Sequence, residues 1–175
     1  MLVLRPADVR ETIVCWKMAY QNILTPTALI LSRQKVQNLP EGVNYENATK
    51  GGYIVVDSLN PDIILLASGS EVSTLVNAAQ LLQKDGIKYR IASIPSEGLF
   101  RSQSLDYQKQ ILPDNIKKFG LTAGLTVNLE GLVGSDGKVF GVNSFGYSAP
   151  FSVLDEKLGI TAENVYQKIL DYLKK

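Results

Sequence analysis

Residues 61–96 read PDIILLASGSEVSTLVNAAQLLQKDGIKYRIASIPS, and this stretch decides the fold. Ile63 to Ala67 is an unbroken apolar run bounded by Pro61 and Gly69. Such a run fits a strand buried on both faces or a short buried helix segment, and the β-branched residues and flanking breakers favour the strand. Ser68-Gly69-Ser70 supplies a tight turn and a helix cap; Glu71 then falls in the first helical turn, where a carboxylate suits the helix dipole. Val72, Leu75, Val76, Ala79 and Leu82 follow at helical spacing and form one apolar face. Lys84-Asp85-Gly86 ends that helix, with Gly86 able to turn left-handed. Tyr89 to Ile94 is a second strand, closed by Pro95. Two strands joined by such a helix form a right-handed crossover and run parallel. A parallel pair needs helices on both faces, and the rest of the chain must supply them.

The chain has 175 residues, 45% of them hydrophobic and 20% charged, enough for one core plus a fragment of a second domain. A net charge of +1 creates no field that points to nucleic acid or a membrane surface, so neither is an expected partner. No apolar run approaches the roughly 20 residues of a membrane span. The single cysteine, Cys15, excludes an internal disulfide and makes a reducing, cytoplasmic location the default. The sequence contains no histidine. That removes the commonest general base, the Ser-His and Cys-His nucleophile pairs and the commonest zinc ligand. If the chain is part of an enzyme, much of the chemistry lies elsewhere.

Working outward, Met1 to Leu4 reads as the end of a strand, and Pro6, Asp8 and Glu11 suit the first turn of a helix. Val9, Ile13, Trp16 and Tyr20 make its apolar stripe, and Thr27 to Ser32 reads as another strand. Residues 1–34 are thus a strand–helix–strand piece too small to fold alone, in which Trp16 lacks a full pocket. They are expected to be the end of an upstream domain. Residues 35–50, polar and containing Pro40 and Gly42, read as a linker. Tyr53 to Asp57 is a strand expected to pair antiparallel with Ile63–Ala67 or to lie at the sheet edge. Ser96 to Ser102 reads as a loop or short turn. Helices are expected over Ser104–Leu112 (Leu105, Gln108, Ile111 and Leu112 inward) and Leu125–Val133 (Leu125, Leu129, Leu132 and Val133 apolar). Strands are expected at Ile116–Thr122 and Lys138–Val142. A helix capped by Ser148-Ala149-Pro150 runs to Leu158. A last one starts at Thr161, with Val165, Ile169, Leu170 and Leu173 inward and Lys174 and Lys175 complementing its end. The sum is an α/β fold: a three-layer α/β/α sandwich over residues 51–175 with a mixed, mostly parallel five-stranded sheet.

Three features invite a chemical reading. The turn Ala67-Ser68-Gly69-Ser70-Glu71 leads from strand to helix, where free backbone N–H groups can bind anions. It lacks both phosphate-cradling glycine patterns, so a tight turn with a helix cap is the favoured reading. Arg33 follows a buried strand, at the end where α/β ligand sites lie, and a guanidinium fork binds phosphate bidentately; local sequence alone favours a structural salt bridge. Phe140 to Pro150 is a glycine- and aromatic-rich loop that lines an interface or, by default, is a turn with glycines at positive φ and packed aromatics. Cys15 reads as a small buried residue, and no carboxylate cluster resembles a metal site.

Arg5-Pro6-Ala7-Asp8, Glu11, Trp16 and Pro26-Thr27-Ala28-Leu29 running into Leu31-Ser32-Arg33-Gln34 resemble the end of the pyrimidine-binding domain of transketolase. Gly51-Gly52-Tyr53, Ala67 to Val72, Ser93 to Ser96, Phe145-Gly146-Tyr147-Ser148-Ala149-Pro150 and Gly159 to Val165 resemble its C-terminal domain, in the same order. The resemblance implies part of a homodimeric transferase of the pentose phosphate pathway. That enzyme moves a two-carbon ketol unit between sugar phosphates with thiamine diphosphate and Mg²⁺ or Ca²⁺. By the same resemblance, the metal, the diphosphate, the activating glutamate and the active-site histidines belong to upstream regions. No catalytic, cofactor-binding or metal-binding residue is therefore expected in this chain. Arg33 matches the family arginine that binds the substrate's phosphate. The sequence departs from the family pattern at Thr122, usually acidic, and at Leu129 and Leu132, usually aromatic, which exchanges polar or aromatic contacts for aliphatic packing. The expected reading is the C-terminal portion of a transketolase, cut from a longer chain, inactive alone, with the remaining transketolase domains as partners. The rival is a non-catalytic scaffold or dimerisation domain; a nucleotide-binding flavodoxin-like protein is disfavoured by the missing glycine pattern.

Overall fold

The computed structural model describes residues 1–174. The chain begins with β1 (Leu2–Leu4), α1 (Val9–Gln21) and β2 (Thr27–Leu29), a parallel pair in register Leu2 opposite Thr27. A 3-10 helix at Tyr45–Lys50 ends on left-handed Gly51. Then follow β3 (Tyr53–Val56), β4 (Ile63–Ala67), α2 (Glu71–Lys84), β5 (Tyr89–Ser93), α3 (Glu97–Arg101), α4 (Leu105–Ile111), β6 (Lys117–Leu121), α5 (Val127–Val133), β7 (Lys138–Phe140), α6 (Phe151–Leu158) and α7 (Ala162–Leu173). The larger sheet runs in the order β3-β5-β4-β6-β7, and only β3 is antiparallel to its neighbour. This is the expected α/β architecture.

All five residues of β4 are buried. Strand alternation sends Ile63, Leu65 and Ala67 into one core with α2 and α7, and Ile64 and Leu66 into another with Ile111, Leu112, Leu129 and Leu132. A continuous apolar run at the sheet centre is therefore what a three-layer sandwich requires. Gly51 and Gly52 close the entry to the sheet. Gly51 sits at φ 81°, and a Cβ on Gly52 would stand 2.7 Å from the Phe100 ring.

Several expectations are corrected. β3 does lie at the edge, but it pairs with β5, Tyr53 opposite Ser93, and not with β4. Both sides of β4 are taken by parallel neighbours, leaving the outer edge of β5 open. Of the loop or short turn expected at Ser96–Ser102, the structure forms the turn, a helical one over Glu97–Arg101. Leu105 and Leu125 are exposed, because Leu105 is the first residue of α4 and Leu125 precedes α5. Tyr107 takes the inward role, meeting Phe100 edge-on at 6.2 Å and donating to the Gly52 carbonyl at 2.8 Å. Within the expected cap Ser148-Ala149-Pro150, Pro150 stands at the N-cap of α6, without a side-chain cap hydrogen bond. In α7, Thr161 caps Asn164 as expected, while Leu170 and Leu173 are only half-buried and Tyr172 is buried. Lys174 follows α7, and the expected role of Lys175 lies outside the described residues. The stripe of α1 faces solvent, with Trp16 58% exposed, and the helix buries Glu11 and Cys15 on its opposite side.

Candidate functional site

In open α/β sheets ligands bind beyond the carboxyl ends of the strands, where the connections change direction. Here β4 leads to β5 on one side and β5 crosses back to β6 on the other, so the switch lies between β4 and β6. The turn after β4 is therefore in a ligand-binding place, but Arg5 occupies it. Its Nη1 donates to the Ser68 carbonyl at 2.8 Å and to Ser68 Oγ at 3.1 Å. Its Nη2 reaches both oxygens of Glu71 at 2.7 and 2.8 Å. The backbone joins in: Gly69 N–H donates to the Arg5 carbonyl at 3.0 Å, and Arg5 N–H to that of Pro95 at 2.8 Å. Glu71, only 2% exposed, also accepts from Ala123 N–H at 2.5 Å. Gly69 is at φ 63°, and a Cβ there would meet the guanidinium carbon at 2.9 Å. The turn is thus built around a cation from its own chain, and the carboxylate at its helix start repels anions.

Asp8 and Glu11 form a second buried cluster, 1% and 0% exposed. Asp8 caps α1, its Oδ1 accepting from Glu11 N–H at 2.8 Å. Its Oδ2 accepts from Leu39 N–H at 2.9 Å and from the Tyr45 hydroxyl at 2.6 Å. Glu11 accepts from Ser93 Oγ at 2.8 Å and from Ala7 N–H. Burial pushes the Glu11 carboxyl above its ordinary value, a rise only partly opposed by those donors. Burial and the neighbouring Glu11 raise Tyr53 too, although its buried hydroxyl makes no hydrogen bond of normal geometry among the described residues. Burial also pushes the Cys15 thiol up to about 12, as befits an inert core residue.

Arg33 lies beyond β2, exposed, with no hydrogen bond or ion pair among the described residues. The strand ends at Leu29, earlier than expected, and the structural salt bridge favoured by local sequence is not formed. An open groove of about 1210 Å³ runs between the N-terminal segment and the strand ends, bordered by Leu2, Asn22, Pro95, Glu97 and Asn128, but not by Arg33. The 140–150 loop departs from its default reading: Gly141 and Gly146 have no positive φ, Phe145 is 99% exposed, and Tyr147 is exposed with Lys157 Nζ 5.2 Å above its ring. Gly141 is required instead for a close approach to the Gly124 carbonyl. Leu129 and Leu132 pack aliphatically, as the departure from the family pattern implies. No three His, Cys, Asp or Glu side chains converge for a metal, and no helix is long and apolar enough to cross a membrane, among the described residues.

Sequence reasoning missed both carboxylate networks. The spacing Asp8-x-x-Glu11 carried the cap signal. Nothing local pairs Arg5 with Glu71, 66 positions away.

The family model described as Transketolase-like TK C-terminal domain matches residues 51–161. The chloroplastic transketolase of Craterostigma plantagineum is 41% identical over 169 residues, 94% of this chain and 32% of its own length. The transketolase of Staphylococcus aureus (strain MW2) is 40% identical over 174 residues, 97% of this chain and 26% of its own. A Pichia stipitis transketolase structure, described as a complex with sedoheptulose-7-phosphate, superposes with a TM-score of 0.90 and 34% identity over 99% of this chain and 25% of that one. The chain therefore spans about a quarter to a third of the length of the curated relatives it matches.

Arg5→Ala leaves Glu71 buried and unpaired and is expected to cost about 3–5 kcal/mol, read as a lowered urea midpoint. Glu11 gives a pH signature. Its folded carboxyl titrates above the ordinary 4.5, so its contribution to stability is fullest below that value and is lost as pH rises through the raised one. Urea midpoints measured upward from pH 4.5 should show this fall, and Glu11→Gln should flatten it.

Proposed function

The chain belongs to the transketolase family, and from that premise we propose that it works as the C-terminal part of a thiamine-diphosphate-dependent transketolase, with Arg33 holding the phosphate of the sugar substrate. The activity is transfer of a two-carbon ketol unit between sugar phosphates in the pentose phosphate pathway. The observation that carries the role of Arg33 is its position: an exposed guanidinium with no intrachain partner among the described residues, just beyond a parallel strand. An unpaired guanidinium keeps its planar fork free for a phosphate. Support comes also from the Leu31-Ser32-Arg33-Gln34 match and from the sugar phosphate named for the Pichia stipitis relative.

We infer that thiamine diphosphate and its Mg²⁺ or Ca²⁺ are held by other regions of the enzyme, and two observations support that reading. The sequence lacks histidine, and no three metal-binding side chains converge among the described residues. In our reading the cofactor, and the homodimer contacts around it, belong to other transketolase regions. Val9, Ile13, Trp16 and Tyr20, all more than half exposed on α1, suit packing against those regions. The same stripe favours the second reading, a scaffold that contributes assembly alone.

Arg33→Ala in the complete enzyme separates the two. The phosphate role predicts a KM for phosphorylated substrates raised about tenfold or more with assembly intact; weakened assembly at unchanged KM selects the scaffold. Calorimetric titration of this chain alone with thiamine diphosphate and Mg²⁺ is expected to give no saturable heat, and saturable binding would overturn the assignment of the cofactor to other regions.

A further inference from the structure

Asp8 does more than capping requires. A helix N-cap needs one side-chain oxygen, and Oδ1 of Asp8 supplies it. The other oxygen receives two donors from far along the chain, Leu39 N–H and the Tyr45 hydroxyl. Between the end of β2 and Leu39 the chain has no regular structure, and Arg33 sits in that stretch. One end is fixed where Ile30 N–H donates to the Leu4 carbonyl at 2.8 Å. The other is fixed at Leu39, only 4% exposed, by Asp8. Removing the Asp8 bond would leave this end of the loop held by the packing of the Leu39 side chain and a long Asn77–Gln37 hydrogen bond at 3.4 Å, a looser fixation for Arg33. Ordering such a segment at each binding event costs conformational entropy that a fixed segment has already lost.

We propose that Asp8 is a positioning residue for Arg33: its Oδ2, by holding Leu39 and Tyr45, sets the loop that presents the guanidinium to the substrate phosphate. This rests on the phosphate role of Arg33 given above. Asp8 is buried and touches no substrate; it acts through the loop.

The chemistry of the two oxygens supplies the variants. Asp8→Ser keeps a good cap and removes the second arm. Asp8→Asn keeps the cap through its carbonyl oxygen and turns an amide donor toward the Leu39 N–H, while the Tyr45 hydroxyl is free to rotate and accept. Tyr45→Phe removes one of the two tethers and leaves the cap and the Leu39 bond in place. In the complete enzyme, Asp8→Ser and Asp8→Asn should raise KM for a phosphorylated ketose about tenfold, and Tyr45→Phe about two- to threefold. KM for an unphosphorylated ketol donor and kcat should not move. On an Arg33→Ala background Asp8→Ser should add nothing further. Hydrogen exchange on this chain should quicken over residues 31–39 in the Asp8 variants while β4 and α2 stay protected.

If Arg33→Ala raises KM and neither the Asp8 variants nor Tyr45→Phe do, the positioning role is refuted and the phosphate role stands. Should Arg33→Ala itself leave KM for phosphorylated substrates unchanged, the phosphate role fails first, and positioning falls with it. An equal rise for unphosphorylated substrates marks general loosening and also refutes the proposal. Where the Asp8 variants do not fold, Tyr45→Phe decides.

Discussion

The Arg5–Glu71 ion pair fastens the two sheets together. Glu71 is buried at the start of α2, where a carboxylate must be matched by a cation or by enough hydrogen-bond donors. Arg5 meets that need from the end of β1, with both oxygens of Glu71 and the Ser68 carbonyl in reach. Four consequences follow from this one contact. β1 ends against β4 and β5. The turn after β4, at the crevice where an α/β sheet usually takes its ligand, is covered by the protein's own side chain, with the open groove beside it. The loop after β6 is drawn in through Ala123. The groove bordering Arg5 becomes a boundary between two parts of one chain.

The second cluster extends the same logic with less charge. Asp8 and Glu11 carry two carboxylates into the interior with no ion pair among the described residues, and hydrogen bonds do the stabilising. Asp8 accepts from three donors, one of them the Tyr45 hydroxyl. Glu11 has fewer donors and more desolvation, and its carboxyl is held above its ordinary range. The helix between them therefore turns its polar residues inward and its aromatics outward, the reverse of an isolated surface helix.

That reversal shows what a sequence can and cannot disclose. The central crossover was legible because β4 is apolar on both faces and α2 is amphipathic; periodicity and breakers act locally. The apolar stripe of α1 was legible as a pattern, but the side facing this chain was not, since its inward face is organised by partners 31 to 82 residues away. The edge was one of two places open to β3 from sequence, the other being beside β4, and its actual neighbour depended on which strand still had an open side. Arg33, whose phosphate role is the one proposed above, was singled out through the motif around it. Arg5 and Glu71 were not, because a turn that looks suited to an anion gives no sign that a distant arginine fills it.

The boundary that composition suggests and the unit that folds are therefore different things. A cut at Gly51, where the matched family region begins, would deprive Glu71 of Arg5 and Ser93 of Glu11. It would leave a sheet whose lower half is intact and whose upper rim carries an orphaned negative charge. Any dissection of this polypeptide meant to yield a soluble, cooperative module has to keep the first helix, even though that helix follows the strand of a separate two-stranded sheet.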